Sequence, residues 1–229
     1  GWVPMQLERR RLPRRPRIGL LGGSFNPPHL AHLALARVAR DQLRLDELRW
    51  LPAGQPWQKS PLNLAPAADR AAMVAALIAG EQRMQLDERE LHRPGPSYTI
   101  DTVRELQAEL PGADLYLILG QDQYAGLHTW RQPAALLSAV TLAVAARDGD
   151  APQASPLLAG LPHRPVTLPL QRMDISATHI RARLAAGQAI TPLVGPAVAR
   201  YIDQHHLYRA APGPRMDIRK LQRAIVDGL

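Results

Sequence analysis

Short apolar runs alternate with stretches of helical periodicity along most of this chain, and this alternation constrains its fold more than any other feature. Apolar runs of strand length lie near residues 18–21, 48–51, 84–86, 115–119, 141–145 and 166–168. Helical spacing of apolar residues occurs near residues 30–43, 67–79, 98–110, 177–186 and 196–206. Such alternation is typical of a parallel sheet with helices on both faces. It predicts a single-domain α/β fold, a Rossmann-like doubly wound parallel sheet.

The length and composition fit one such domain. The 229 residues, of which 46% are hydrophobic, can bury one core and would be crowded as two domains. The absence of cysteine excludes disulfides and thiolate metal sites, and no apolar stretch reaches the roughly 18 to 20 residues of a membrane span. No apolar segment of a secretory signal follows the arginine-rich start. We therefore expect a cytoplasmic protein that does not bind membranes.

The net charge of +8 is concentrated at the two ends of the chain. Residues 1–17 carry six arginines against one glutamate, and residues 210–229 carry four basic against two acidic residues. The segment between them is nearly neutral, which disfavours a specific nucleic-acid-binding surface. We expect a basic N-terminal tail over 1–16, a folded domain over 17–209 and a C-terminal extension over 210–229. The extension has apolar residues at near-helical spacing, which favours a helix.

The sequence GGSFNPPHLAH begins at Gly22, directly after the first apolar run. Two glycines let the backbone turn without a Cβ atom, and Pro27-Pro28 can open a helix whose free N–H groups suit a phosphate. His29 and His32 are three positions apart and would project from one helix face toward the same ligand. The turn after the first strand also lies where a doubly wound sheet binds its ligands. This junction predicts a polyphosphate site.

Alternatives to a phosphate site are open at this junction. The two histidines could be helix-face residues without a function, or a metal-binding pair, although the turn contains neither cysteine nor carboxylate. The chain contains no GxGxxG and no GxxxxGK[ST] sequence. Their absence disfavours a dinucleotide-dependent redox enzyme and a P-loop nucleotidase.

A second segment with phosphate-binding chemistry is ISATHIR, which begins at Ile175. Ser176 could be no more than the N-cap of the following helix, because serine is a common residue at that position. Arg181 lies on the next turn of the same helix. A hydroxyl, open N–H groups and a guanidinium could therefore converge on one anion.

These segments resemble a known signature. GGSFNPPHLAH is similar to the (H/T)xGH motif of nucleotidyltransferases, and ISATHIR is similar to the ISxTxxR motif that forms the second half of their signature. Between them, DERELHRPGPSYT from Asp87, GQD from Gly120 and TW from Thr129 resemble the bacterial nicotinate mononucleotide adenylyltransferase family in particular, as does the segment 201–209. The resemblance covers about residues 17–209.

The resemblance implies transfer of the adenylyl group of ATP to nicotinate mononucleotide, with Mg²⁺ bridging the phosphates and held by substrate and water rather than by protein ligands. A related enzyme with another acceptor, such as phosphopantetheine or a sugar phosphate, and a basic nucleic-acid-binding protein are the alternatives. The implied catalytic residues are His29, His32 and Arg181. The implied ATP-binding residues are Gly22, Gly23, Ser24, Phe25, His29, His32, Gly120, Asp122, Ser176, Thr178 and Arg181. The implied residues for nicotinate mononucleotide are Lys59, Ser97, Tyr98, Thr99 and Trp130.

The acceptor residues have a physical rationale of their own. The segment 97–99 opens a predicted helix, whose positive dipole end suits a carboxylate better than a neutral carboxamide. Trp130 could stack on the pyridine ring, as the resemblance suggests. The alternative is that the predicted helix is a capped surface helix and that Trp130 is a core residue. Lys59 could also be a solvated surface lysine, since Gln58 stands before it where the family often has histidine. Asn26 likewise stands where aspartate is common in the family.

Overall fold

The protein is described by a computed structural model over residues 14–54, 63–146 and 150–209. Within these ranges six strands form one sheet in the order β3-β2-β1-β4-β5-β6, and every pair of neighbours is parallel. The strands are β1 (Arg17–Gly23), β2 (Glu47–Pro52), β3 (Met84–Leu86), β4 (Asp114–Gly120), β5 (Thr141–Ala145) and β6 (Val166–Leu168). The predicted doubly wound parallel sheet is confirmed.

Helices connect the strands and cover the sheet. In the described ranges they are α1 (Leu30–Gln42), α2 (Ala67–Ile78), α3 (Arg89–His92), α4 (Thr99–Glu109), α5 (Gln121–Ala125), α6 (Pro133–Ala139), α7 (Pro156–Ala159), α8 (Ala177–Ala185), α9 (Thr191–Val194) and α10 (Pro196–Gln204), with a 3-10 turn over Leu127–Thr129. The connection between β5 and β6 contains α7, whose N-cap Ser155 accepts a hydrogen bond from the Leu158 amide. None of the described helices has the length and apolar character needed to cross a membrane.

The two faces of the sheet support separate cores. On one face Leu20, Leu117 and Val144 pack against apolar residues of α4 and α6. On the other face Leu48 and Trp50 pack against α1 and α2. A third cluster joins α2 to α8, α9 and α10, and so holds the segment after Ile175 against the rest of the domain. Burial on both faces explains why the strand sequences are continuous apolar runs rather than alternating ones.

The strand order reverses at β1, and the ladders diverge there. β1 pairs with β2 as far as Gly23 and Pro52, whereas its ladder with β4 ends at Leu20 and Leu117. β1 and β4 therefore separate toward their carboxyl ends. In a doubly wound sheet such a crevice is the usual place for a ligand.

The glycines of the GGSFNPPH segment act differently from the sequence-based expectation. Gly22 and Gly23 do not form the turn, because both belong to β1. The left-handed backbone conformation occurs at Phe25, with φ at 48°, and α1 begins only at Leu30, after both prolines. What the glycines contribute is the absence of a side chain at the end of β1, which leaves the mouth of the crevice open.

Candidate active site

A cleft of about 880 Å³ opens at the carboxyl ends of the strands, beside the β1–β4 crevice. Its wall contains both halves of the nucleotidyltransferase signature together with the segments at 97–99 and 129–130. Segments up to about 150 positions apart in the sequence therefore meet at one site. The sequence-predicted residues on this wall are Gly22, Gly23, Ser24, Phe25, His29, His32, Ser97, Tyr98, Thr99, Asp122, Trp130, Ser176 and Thr178.

Two described residues of the predicted set, Gly120 and Arg181, do not line the cleft. Gly120 ends β4, and its N–H donates to the side chain of Gln123 at 3.2 Å. The Arg181 guanidinium donates to the Asn26 carbonyl at 2.7 Å and to the Thr178 hydroxyl at 3.4 Å. It thus joins α8 to the turn after β1. Lys59 lies outside the described residues.

The two signature histidines form a stacked pair. Their ring centroids are 3.7 Å apart, and the His29 backbone N–H donates to Nδ1 of His32 at 3.0 Å. Because Nδ1 of His32 accepts this bond, a neutral His32 ring carries its proton on Nε2. The edge-on contact of His32 with Phe25, at 5.1 Å between centroids, fixes the ring further. The fold therefore holds a hydrogen-bond donor at a set orientation on the cleft wall.

His29 is the N-cap residue of α1 and is only 6% exposed. Burial lowers the pKa of His29 to about 4, from an ordinary value of 6.5. Its Nδ1 atom is buried without a hydrogen-bond partner among the described residues. The ring is therefore neutral at neutral pH in the folded protein.

The burial of His29 should make the protein less stable in acid. Between pH 6.5 and 4 the unfolded chain binds a proton at His29 that the folded chain does not, so the free energy of unfolding falls as the pH falls. A shift of this size corresponds to a loss on the order of 3 kcal/mol by pH 4. Chemical denaturation of the wild type and of His29→Asn across this range measures the effect. Parallel pH profiles for the two proteins would contradict it.

Asn26 connects the turn after β1 to two other parts of the domain. Its side-chain oxygen accepts hydrogen bonds from the Ala65 amide at 3.0 Å and from the Tyr208 hydroxyl at 2.6 Å, and its NH₂ group donates to the Asn63 carbonyl. An aspartate could not make the last of these bonds. The amide at this position therefore matches its surroundings, although aspartate is common there in the family.

Arg70 of α2 also holds the turn after β1 in place, and this residue is only 1% exposed. Its guanidinium donates to four backbone carbonyls, those of Ser24 at 2.9 Å, Ala53 at 2.6 Å, Gly54 at 3.2 Å and Ala65 at 3.0 Å. Burial lowers the pKa of Arg70, but a guanidinium stays charged in proteins. A positive charge is thus buried directly beneath the predicted phosphate-binding turn.

The N-terminus of α4 faces the cleft through residues 97–99. Tyr98 is its N-cap residue, and the Tyr98 side chain makes no capping hydrogen bond to the helix. The Arg131 guanidinium lies over the Tyr98 ring, 4.5 Å from its centroid. Tyr98 therefore does not cap α4 with its side chain, and the start of the helix and the Arg131 cation both line the cleft.

A smaller cavity of about 230 Å³ extends from the cleft into the β1–β4 crevice. Leu20, Leu117 and Leu119 form its apolar floor, and Thr99 and Trp130 lie at its entrance. Trp130 is partly buried and packs against the adjacent core. Trp130 therefore contacts the core and also lines both cavities, and its stacking on a pyridine ring stays a prediction.

Glu90 of α3 is the acidic residue on the wall of this smaller cavity. It accepts a hydrogen bond from the Thr102 hydroxyl at 3.3 Å. Burial raises the pKa of Glu90, while hydrogen bonds from Ser97 and Thr102 and the nearby Arg93 guanidinium oppose that rise. Glu90 also has a close backbone neighbour, because a Cβ atom at Gly54 would lie 2.4 Å from the Glu90 carbonyl oxygen.

Ser176 serves as the N-cap of α8, as one of the two interpretations of the sequence expected. Its hydroxyl oxygen accepts a hydrogen bond from the His179 amide at 3.1 Å. Ser176 and Thr178 nevertheless line the cleft. The capped helix start therefore faces the same space as the histidine pair.

Sequence reasoning missed Arg70, Glu90, Gln123 and Arg131. Arg70 carried a signal, because it is a charged residue on a helix whose neighbours Ala71, Met73 and Val74 are all buried. Glu90 lies within the segment DERELHRPGPSYT but was not assigned a role, and Arg131 directly follows the TW segment. No group of three or more metal-ligating side chains occurs among the described residues.

Comparison with known proteins assigns the chain to a family. The family model described as cytidylyltransferase-like matches residues 20–183. A protein of Methylibium petroleiphilum named probable nicotinate-nucleotide adenylyltransferase is 52% identical over 201 residues, which are 86% of this chain and 94% of that protein. A protein of Bordetella petrii with the same name is 50% identical over 198 residues, which are 84% of this chain and 99% of that protein.

The fold has solved counterparts as well. The structure of Plasmodium falciparum nicotinic acid mononucleotide adenylyltransferase complexed with NaAD matches with a TM-score of 0.71 at 20% identity, over 85% of this chain and 98% of that one. The same protein complexed with APC matches with a TM-score of 0.69. The similarity to relatives at 50% identity and above extends over nearly their whole length, so this chain belongs to the nicotinate-nucleotide adenylyltransferase family.

Proposed function

We propose that this protein transfers the adenylyl group of ATP to nicotinate mononucleotide. An oxygen of the acceptor's 5′-phosphate attacks the α-phosphorus of ATP, and the bond from that phosphorus to the bridging oxygen of the β-phosphate breaks. The products are nicotinate adenine dinucleotide and pyrophosphate, and the reaction is a step of NAD biosynthesis. It needs alignment and charge neutralisation rather than a side-chain nucleophile.

The observation that carries this proposal is the composition of the cleft wall. Both signature halves and the 97–99 and 129–130 segments face one space, so a triphosphate and a pyridine nucleotide can lie side by side there. The identity to named relatives supports the same reaction. A structural relative from Plasmodium falciparum was solved with NaAD, which is the product of this reaction.

The phosphate roles follow from the donors at each position. His29 and His32 contact the α- and β-phosphates, together with Ser24 and the backbone at Phe25. Ser176 and Thr178 bind the leaving pyrophosphate at the start of α8, with Arg181 behind them. Gly22 and Gly23 leave room for the phosphates at the end of β1. Gly120 and Asp122 are the remaining ATP-binding residues. Donors fixed in this way stabilise charge that develops in the transition state.

Magnesium fits the cleft as an ion carried by the substrate. The wall offers mainly imidazole rings, hydroxyls and backbone N–H groups, which suit phosphate oxygens, and Asp122 adds one carboxylate. Mg²⁺ bound mostly by phosphate oxygens and water would neutralise charge on the leaving group. The cytoplasmic location and the role of Lys59 in acceptor binding stay predictions.

In this proposal the N-terminus of α4 binds the acceptor's carboxylate, and Trp130 stacks on the pyridine ring. Nicotinate mononucleotide should then be preferred over nicotinamide mononucleotide by at least about tenfold in kcat/KM, because an amide NH₂ facing helix N–H groups leaves buried donors unpaired. Steady-state kinetics with both acceptors, ATP and Mg²⁺ measure the preference, and product mass identifies the dinucleotide.

Two results would contradict different parts of the proposal. Equal kcat/KM for the two mononucleotides would show that the α4 N-terminus does not distinguish the carboxylate from the carboxamide. Adenylylation of phosphopantetheine in the same assay, without turnover of either mononucleotide, would replace the proposed reaction by that of a related nucleotidyltransferase.

A further inference from the structure

We infer that Glu90 determines specificity for a positively charged ring, because its carboxylate complements the pyridinium of the acceptor within the smaller cavity. The inference rests on the proposed function, since it presumes a pyridine mononucleotide as the acceptor. It adds a second electrostatic contact, next to the α4 N-terminus that binds the carboxylate of the substrate.

The first support is that Glu90 lies beside the space that the acceptor's ring would occupy. Glu90 and Trp130 both line the cavity that extends from the cleft into the β1–β4 crevice, and Thr99 lies between that cavity and the larger cleft. A volume of about 230 Å³ accommodates a single six-membered ring with its substituent but not a second nucleotide. A pyridine ring that stacks on Trp130 would therefore enter the cavity that Glu90 lines.

The second support is the polarity of that space. Leucine side chains from the strands form part of its lining, so a bound ring would partly shield the Glu90 carboxylate from water. A carboxylate in such surroundings interacts with a nearby cation more strongly than it would in water. The ring nitrogen of a pyridine mononucleotide forms four bonds and makes the ring cationic. The tryptophan face adds attraction for the same charge.

The third support is the charge balance around Glu90. Arg93 is the nearest cation, but it pairs with Glu105 at 2.7 Å. Within the described residues Glu90 has no ion pair of its own, and its contacts are the hydroxyls of Ser97 and Thr102. Arg93 in turn donates to both hydroxyls, and its contact with Thr102 is 3.2 Å long. The hydroxyls are thus oriented to donate toward Glu90.

This arrangement leaves one carboxyl group that no described cation contacts directly, on the wall of a ring-sized cavity. The α4 N-terminus provides partial positive charge at Ser97-Tyr98-Thr99, on the neighbouring part of the same wall. Nicotinate mononucleotide carries the complementary pair, a cationic ring and an anionic carboxylate. The site therefore matches both poles of the substrate.

The test compares nicotinate mononucleotide with its 1,4-dihydro form, in which the ring is neutral. Binding of each compound without ATP is measured by titration calorimetry for the wild type and for Glu90→Gln, which keeps a hydrogen-bond acceptor and removes the charge. We expect the wild type to bind the cationic form at least about tenfold more tightly, and Glu90→Gln to lose about tenfold of that preference. The KM for ATP should stay within about twofold.

Glu109→Gln is the matched control. Glu109 is an exposed residue of α4 that pairs with Arg89 at 2.9 Å and does not line the cavity. Its replacement should leave the ratio of the two affinities unchanged.

Three outcomes would overturn the inference. The first is an unchanged ratio in folded Glu90→Gln, and the second is tighter binding of nicotinate mononucleotide by that variant, which would mean that Glu90 faces the substrate's carboxylate. The third is a wild type that binds both forms equally, a result that does not depend on the variant's folding. Each of these is compatible with adenylyl transfer by the wild type, whereas failure of that transfer would refute the proposed function instead.

Discussion

Replacement of His32 by alanine is expected to lower kcat by about 10²-fold or more, because a fixed donor at a phosphoryl centre contributes several kcal/mol in the transition state. The stacked His29 ring and the hydrogen bond from the His29 N–H to Nδ1 hold the His32 ring in place. The KM for ATP should rise less than kcat falls, since the charge that His32 stabilises grows as pyrophosphate leaves.

His32→Asn separates this catalytic role from a structural one. An asparagine oxygen can accept the hydrogen bond from the His29 N–H in place of Nδ1, but the side chain has no donor at the position of Nε2. Both variants should therefore lose similar amounts of activity while circular dichroism and thermal melting show the wild-type fold. A folded asparagine variant that keeps more than half of the wild-type kcat would refute the assignment.

Most of the sheet could be predicted because a parallel strand buried on both faces has a simple sequence pattern. The predicted ranges 84–86, 141–145 and 166–168 coincide with β3, β5 and β6. The longer helices α1, α2, α4, α8 and α10 were also predicted, since each has enough turns for its apolar spacing to show. Short elements such as α5 and α7 have too few turns for a periodic pattern, and the sequence did not predict them.

The candidate site could be predicted where its functional groups lie within one short segment of the sequence. It could not be predicted where residues that are distant in the sequence meet in the fold. The histidine pair and the capped start of α8 are local features of the sequence. The proposed role of Glu90, by contrast, depends on a cavity whose apolar floor comes from the distant strands β1 and β4. The role of Gly22 and Gly23 was misjudged because the left-handed backbone conformation falls at Phe25 and not at either glycine.

Arg70 shows how a core position can support a site. Its guanidinium is held by four backbone carbonyls, and Ser24, whose carbonyl is one of them, lines the cleft. Removal of the guanidinium would leave these acceptors without their donor in a buried place, and buried groups without partners are costly. It would also remove a positive charge from beneath the turn that we propose to bind the triphosphate.

Arg70→Met is therefore expected to lower the free energy of unfolding by about 3 to 5 kcal/mol and to weaken ATP binding by more than about tenfold. Arg70→Lys should recover only part of both losses, because an ammonium group cannot reach four carbonyls in the geometry of the guanidinium. Arg37→Met is the control, since the Arg37 side chain is exposed and its partner Glu81 keeps a second ion pair with Arg40, so the loss should cost no more than about 1 kcal/mol. Urea denaturation and calorimetric titration with a nonhydrolysable ATP analogue measure the two quantities. If folded Arg70→Met binds that analogue as tightly as the wild type does, Arg70 stabilises the fold alone and does not position the phosphate-binding turn.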